Sequence, residues 1–177
     1  MQLLGELFIY ASEGRSISEL STATGIPQAT VSREVARLEE AGLLRSVRRG
    51  RLRLVEADSH LAYYPELRAL LLKTIGPAAV LRRSLAGVAG IDAAFVFGSW
   101  ARRYHGERGP APNDIDLLVI GNPDLDALYA ACREAERELR LDVNPVVRSA
   151  SDWRKRDAGF LADVRAGPLV SVSDPPS

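Results

Sequence analysis

Apolar residues recur at helical spacing from the start of the chain. Leu3, Leu4, Leu7, Phe8 and Ala11 predict a first helix, which Gly14 stops. Ser18 is placed to cap a second short helix from Glu19 to Thr24, ended by Gly25. Pro27 suits the first turn of a third helix running to about Ala41, with Val31, Val35 and Leu38 as its inward stripe and Gly42 as its stop. A joint of three residues, Gly25-Ile26-Pro27, between two helices predicts a helix-turn-helix. The period then changes from helical to alternating. Over residues 43–55 apolar and basic positions alternate on both sides of Arg49-Gly50, which predicts a β-hairpin. Residues 57–64 are aperiodic. A helix is expected from Pro65, broken at Gly76-Pro77, and a second from Pro77 to about Ala86.

The second half alternates strand-like and helical runs. Residues 91–97 and 114–120 are short apolar stretches rich in strand formers, and 141–147 is a third. Residues 124–140 make a charged amphipathic helix with Leu125, Leu128, Ala131, Cys132 and Leu139 inward. Residues 151–166 are expected to be helical around Trp153, Phe160, Leu161 and Val164, and Leu169-Val170 suits a last strand. The fold class is therefore α+β. The expected organisation is residues 1–60 as one domain, 61–90 as connecting helices, and 91–177 as a second domain built on a small mixed sheet.

Composition narrows the classes of function. Lysine plus arginine and aspartate plus glutamate both number 23, so no global field favours nucleic acid or membrane. Any charged partner must be met by a local patch. A single cysteine, Cys132, excludes an intramolecular disulfide, and with only two histidines a structural zinc site is not expected. No apolar run reaches transmembrane length and no signal peptide is visible, so the expected location is the cytoplasm. Residues 171–177 form a polar tail, expected to be loosely held.

The local patch is in the hairpin. Residues 43–55 carry five arginines and no acid, whereas residues 1–60 balance 8 basic against 8 acidic side chains. Three helices followed by a basic hairpin resemble a winged helix-turn-helix, and the run from Ile26 to Leu44 carries the resemblance. With Val31, Val35 and Leu38 inward, Gln28, Ala29, Ser32 and Arg33 face out at the N-terminal end of the third helix. Recognition helices present that end to base edges. Gln28 is suited to adenine and Arg33 to guanine, with Thr30 and Ser32 in reach of phosphates. Arg48, Arg49 and Arg51 at the hairpin tip would meet the backbone or the minor groove. Double-stranded DNA is the expected partner, and a homodimer is expected from the pairing of half-sites. The alternative is a winged helix used for protein contact, with the arginines as a solvated face.

Candidate chemistry in the second half centres on Gly98-Ser99-Trp100-Ala101-Arg102 and Asp114-Ile115-Asp116. Carboxylates at i and i+2 of a strand share a face and can hold divalent cations together. Gly-Ser at the end of the preceding strand opens a helix whose backbone N–H groups suit a polyphosphate. Gly98, Ser99, Ala101, Arg102, Asp114 and Asp116 together resemble the minimal members of the DNA polymerase β-like nucleotidyltransferase superfamily, over roughly residues 77–155. The resemblance implies a nucleoside triphosphate held by Gly98, Ser99 and Arg102, and Mg2+ or Mn2+ held by Asp114 and Asp116. It also implies a third carboxylate from the strand at 141–147, serving metal and general base. Asp142 and Asn144 share a face of that strand; the usual pattern points to Asn144, and Asp142 would have to substitute. The implied reaction is transfer of a nucleoside monophosphate to an acceptor hydroxyl, with a partner toxin's tyrosine as one acceptor in antitoxin-like relatives. The alternative is a catalytically inactive domain that senses a nucleotide or dimerises. His60, His105 and Trp153 are read as surface, surface and core residues respectively.

Overall fold

A computed structural model describes residues 2–11, 13–107, 112–155 and 159–172. The expectations for the tail beyond residue 172 and for residues 108–111 of the loop after the Gly-Ser motif lie outside the described residues. The chain divides into two compact units, Met1–Gly76 and Pro77–Ser177. The stretch expected to connect two domains is thus shared, with its first helix in one unit and its second in the other.

The first unit begins with α1 (Gln2–Gly5), which widens into a π-helical turn (Glu6–Tyr10). The turn closes with Ala11 N–H donating to the Glu6 carbonyl at 2.7 Å, and Ala11 leaves in extended conformation, three residues before Gly14. The second helix, α2 (Ile17–Thr24), starts earlier than expected, because its cap is Ser16 and not Ser18. Ser16 Oγ accepts from Glu19 N–H at 3.2 Å, and Ser16 N–H donates to Glu19 Oε2 at 2.7 Å. This reciprocal pair satisfies two of the donors that a helix start leaves open. Gly25, at φ 70°, ends α2 in a left-handed conformation that a side chain would resist.

Helix α3 (Gln28–Glu40) follows directly, with Pro27 as its cap. Val31, Val35 and Leu38 are buried as their spacing requires. The hairpin β1 (Leu44–Arg49) and β2 (Leu52–Ala57) is antiparallel, with Arg49 opposite Leu52. Gly50 and Arg51 therefore make the two-residue turn, with Gly50 at φ 62°. An additional bridge joins Arg15 to Val55 through two backbone hydrogen bonds of 2.9 and 2.7 Å. Leu44 and Val55 on the inner face of the hairpin are buried, as are Leu7, Phe8, Ile9 and Leu20 of the same unit. Helix α4 (Tyr64–Ile75) completes the unit by burying Leu71 and Leu72 and stacking Tyr64 on Phe8 at 5.4 Å.

The second unit opens with α5 (Pro77–Leu85). Its sheet comprises β3 (Ile91–Phe97), β4 (Asp114–Gly121), β5 (Asp142–Arg148) and β6 (Val170–Ser171), in the order β5-β4-β3-β6. The sheet is mixed: β4 runs antiparallel to β3 and parallel to β5, and β6 is antiparallel to β3. Helix α6 (Gly98–Tyr104) follows β3, and α7 (Leu125–Leu139) makes the crossover that the parallel pair requires. Central β4 is buried on both faces after its first three residues, which is why its sequence is a continuous apolar run from Leu117. One face is covered by Val164, Trp153 and Leu161 around Leu118 and Ile120. The helical stretch expected over 151–166 is instead two helices, α8 (Ala150–Arg154) and α9 (Phe160–Ala166). Trp153 packs as expected, stacked on Phe95 at 5.6 Å with the Arg165 guanidinium 5.2 Å from its ring centroid. His105 is exposed, its Nε2 3.2 Å from the Leu169 carbonyl.

Candidate functional site

Two separate surfaces carry the predicted chemistry, one in each unit. In the first unit, burial of Val31, Val35 and Leu38 turns the opposite side of α3 outward. Gln28, Thr30, Ser32 and Arg33 are all exposed on its N-terminal half. Gln28 Nε2 touches Ser18 Oγ at 3.4 Å, a long contact that a better acceptor would displace.

The arginines of the hairpin divide into two groups that the sequence did not distinguish. Arg45 pairs with Glu56 across the ladder, Arg49 with Glu13 at 2.9 Å, and Arg53 with Glu39 at 2.6 Å. Arg48 and Arg51, like Arg33 on α3, are exposed and make no ion pair among the described residues. Of the three tip arginines predicted to meet DNA, Arg49 is thus partly neutralised while Arg48 and Arg51 retain their full field. The missed signal was the position of the acids. Glu13, Glu39 and Glu56 each lie more than ten positions from the arginine they meet, and only the fold brings them alongside.

In the second unit β4 presents Asp114 and Asp116 on one face, with buried Ile115 pointing the other way. Backbone pairing with parallel β5 sets Asp142 opposite Asp114 and Asn144 opposite Asp116. The side chain drawn to the dyad is Asn144, whose Nδ2 donates to Asp114 Oδ2 at 2.9 Å. Asp142 is exposed at the strand edge and does not complete a three-carboxylate set. Among the described residues, no group of three or more histidine, cysteine, aspartate or glutamate side chains is gathered closely enough to hold a metal ion. Both residues stand beside the dyad in the register, and the side-chain bond to it is made by Asn144.

Gly98 and Asp116 meet at the end of β3. Phe97 pairs with Asp116, and the next residue, Gly98, turns at φ 70°. A Cβ at Gly98 would run into Asp116 Oδ2, so the missing side chain is what admits the carboxylate. Ser99 follows, half-buried, and Arg102 is exposed one turn along α6, with Glu107 at 4.0 Å from its Nε. Partial burial raises the pKa of Asp116, and the neighbouring Asp114 charge raises it further; Arg102 opposes both. The dyad is therefore a place where negative charge is under-compensated. Asp114 and Asp116, with the Asn144 amide oxygen if that side chain turned, are the residues that could hold a divalent ion here, a donor set suited to one ion better than to a pair.

Buried Cys132 lies on α7, its thiol pushed up to about 11 by burial and by Glu136. It is a packing residue, as its helical position predicted. No helix among the described residues is long and apolar enough to cross a membrane.

Comparison with known families agrees with the geometry of the first unit. A family model described as MarR family matches residues 7–51. No curated protein matches the chain. The match ends within the turn of the hairpin, so it speaks for the first unit alone. That unit carries a winged helix-turn-helix, with α3 as its second helix and β1-β2 as its wing, and the match supports a DNA-binding transcriptional regulator.

Proposed function

We propose that this protein is a DNA-binding transcriptional regulator whose second unit binds a nucleoside triphosphate with one divalent cation, Mg2+ or Mn2+, as an effector. Location in the cytoplasm and action as a homodimer on paired half-sites belong to the same reading. One observation carries the nucleotide site: two carboxylates share one face of β4, short of compensating charge, and one of them, Asp116, lies against the glycine turn at Gly98. Asp114 and Asp116 would hold the cation, Gly98 and Ser99 would lie against the phosphates, and Arg102 would offset their charge. The cation supplies charge neutralisation between carboxylates and polyphosphate.

On the DNA side, Gln28 and Arg33 would read bases, while Thr30, Ser32, Arg48 and Arg51 would hold phosphates. Arg49 contributes less, because Glu13 already compensates it.

A second reading is favoured by the order of elements. A strand followed by a helix that opens on Gly98-Ser99, then an antiparallel strand opening on Asp114-Ile115-Asp116, is the order that the nucleotidyltransferase resemblance implies. In that reading the unit transfers a nucleoside monophosphate to an acceptor hydroxyl, such as a toxin's tyrosine. The test is titration of fluorescent ATP and GTP analogues with and without Mg2+, together with an assay for pyrophosphate. Saturable, Mg2+-dependent binding without pyrophosphate release supports the effector reading. Pyrophosphate release on addition of an acceptor identifies a transferase. Absence of binding to any nucleoside triphosphate removes both.

A further inference from the structure

Glu39 is an acid set between the two elements that the DNA reading assigns to contact, α3 and the wing. It lies near the end of α3, and its side chain is mostly buried, at 22% exposure, against Arg53 at 52%. One oxygen accepts from Arg53 at 2.6 Å. The other accepts a short hydrogen bond from Ser46 Oγ. Arg53 Nε in turn donates to Ser46 Oγ at 2.7 Å, which closes a three-membered ring of contacts. Ser46 is on β1 and Arg53 on β2, so one carboxylate ties the end of α3 to both strands of the wing.

The backbone joint it spans is short. Helix α3 ends at Glu40 with Ala41 as its cap, Gly42 turns at φ 72°, and Leu43 N–H returns to the Leu38 carbonyl at 2.9 Å. Strand β1 begins at the next residue. Gly42 is exposed and a Cβ there would meet nothing, so the joint residue itself does not brace the angle; buried Leu38 and Leu44 hold it from the core, and the Glu39 ring adds a polar tie. Both arms are long. From Glu39 to Gln28 is ~16 Å along the helix at 1.5 Å per residue. From Ser46 to the turn at Gly50 is ~14 Å at 3.4 Å per residue. A swing of about 10° at the clamp moves the tip by ~2.4 Å, enough to break a hydrogen bond.

The ring also sorts the wing's charges. Arg48 lies directly opposite Arg53 in the ladder, a like-charge pair that costs stability when uncompensated. Glu39 absorbs the Arg53 charge and leaves the Arg48 charge outward.

We propose that Glu39, acting through Ser46 and Arg53, is a positioning residue that sets the angle between α3 and the wing, and so determines how strongly this protein prefers its own site over other DNA. The proposal rests on the DNA-binding reading above. It makes an unusual prediction about sign. Removing an acid from a DNA-facing surface should, by charge alone, tighten binding to every sequence. Removing a positioning acid should weaken binding to the preferred sequence only.

The experiment uses the full-length protein and two duplexes of equal length, one selected by the wild type from a random library and one of random sequence. Glu39→Ala is expected to bind the selected duplex about five- to tenfold more weakly while the random duplex is bound as tightly or up to about threefold more tightly, the direction of lost specificity rather than lost charge. Ser46→Ala, which changes no charge, should weaken the selected duplex about threefold and leave the random duplex and the salt slope unchanged. If Glu39→Ala tightens both duplexes by the same factor, or Ser46→Ala leaves the preference intact, the proposal is overturned. If the wild type enriches no sequence and binds neither duplex, the DNA reading itself fails, and the inference falls with it.

Discussion

Acidic side chains serve opposite ends in the two units. On the wing, Glu13, Glu39 and Glu56 each meet an arginine, and the surface they leave is locally balanced except at Arg33, Arg48 and Arg51. On β4, Asp114 and Asp116 meet each other and a neutral amide, with Arg102 near but exposed. Balanced pairs on a solvated surface contribute little stability each, but they hold geometry. An unbalanced pair costs stability, and that cost is recovered when a ligand brings the opposite charge. On the proposed reading, the first pattern suits a surface already shaped for its partner and the second a site that a cation would complete.

The largest effects should come from relieving or blocking the unbalanced site. Asp114→Asn combined with Asp116→Asn is expected to remove Mg2+-dependent nucleotide binding, a loss of at least ~100-fold for a charged metal-bridged contact. The same double variant should melt no lower than wild type in the absence of nucleotide, because the like-charge cost disappears. A clear fall in melting temperature would mean that the carboxylates are structural. Gly98→Ala combines a strained positive φ with a collision against Asp116, and a cost of ~2–4 kcal/mol is expected from the two together. Chemical denaturation monitored by circular dichroism measures it; an unaltered midpoint would show that the turn relaxes freely.

Proton competition offers a sharper contrast. Burial first, and Asp114 second, raise the Asp116 pKa above its ordinary 3.8. Between 3.8 and the raised value the folded chain holds a proton that the unfolded chain has released. Stability from this group therefore falls as pH rises through that window, and the full penalty persists above it. Asp116→Asn should flatten this part of the stability profile. Added Mg2+ should oppose the trend at neutral pH, where the carboxylates are charged, and lose its effect as they protonate in acid. A Mg2+ effect independent of pH would detach the ion from the dyad.

The wing should divide as its pairing does. Arg48→Ala with Arg51→Ala is expected to reduce the slope of log affinity against log salt by ~2, since each phosphate contact contributes about 0.9. Arg45→Ala should change it by well under one contact, because Glu56 already compensates that charge. Equal losses at Arg45 and at Arg48 would erase the distinction between paired and open arginines. The smallest effect expected is that of Ser16→Ala, which removes the hydroxyl half of the α2 capping box at a cost of ~1 kcal/mol, read as a small drop in melting temperature.

The elements were legible wherever a local rule sufficed. Val31, Val35 and Leu38 repeat at helical spacing and are buried on one side of α3, and the alternation from residue 43 to 55 is the hairpin. Asp114 and Asp116 share a face because a strand alternates. The misplacements have physical reasons of their own. Ser18 looked like the cap because it stands just before the helical pattern, yet Ser16 has Glu19 at the third helical position and closes a reciprocal pair. The helix expected over 151–166 satisfied the apolar spacing, but α8 ends at Arg154 and α9 begins only at Phe160, with Gly159 as its cap.

Local periodicity and turn chemistry, which depend on neighbours a few residues away, were enough to read from this chain a winged helix, a mixed sheet and a same-face carboxylate pair. Which acid silences which arginine, and whether Asp142 or Asn144 comes to the dyad, depend on strand register and on contacts between residues tens of positions apart. Those are settled by the burial of Leu44, Val55, Leu117 and Val143 as the units close. One step of register on a strand moves every side chain to the other face. The packing of apolar positions that take no part in the chemistry therefore decided where the charged ones would meet.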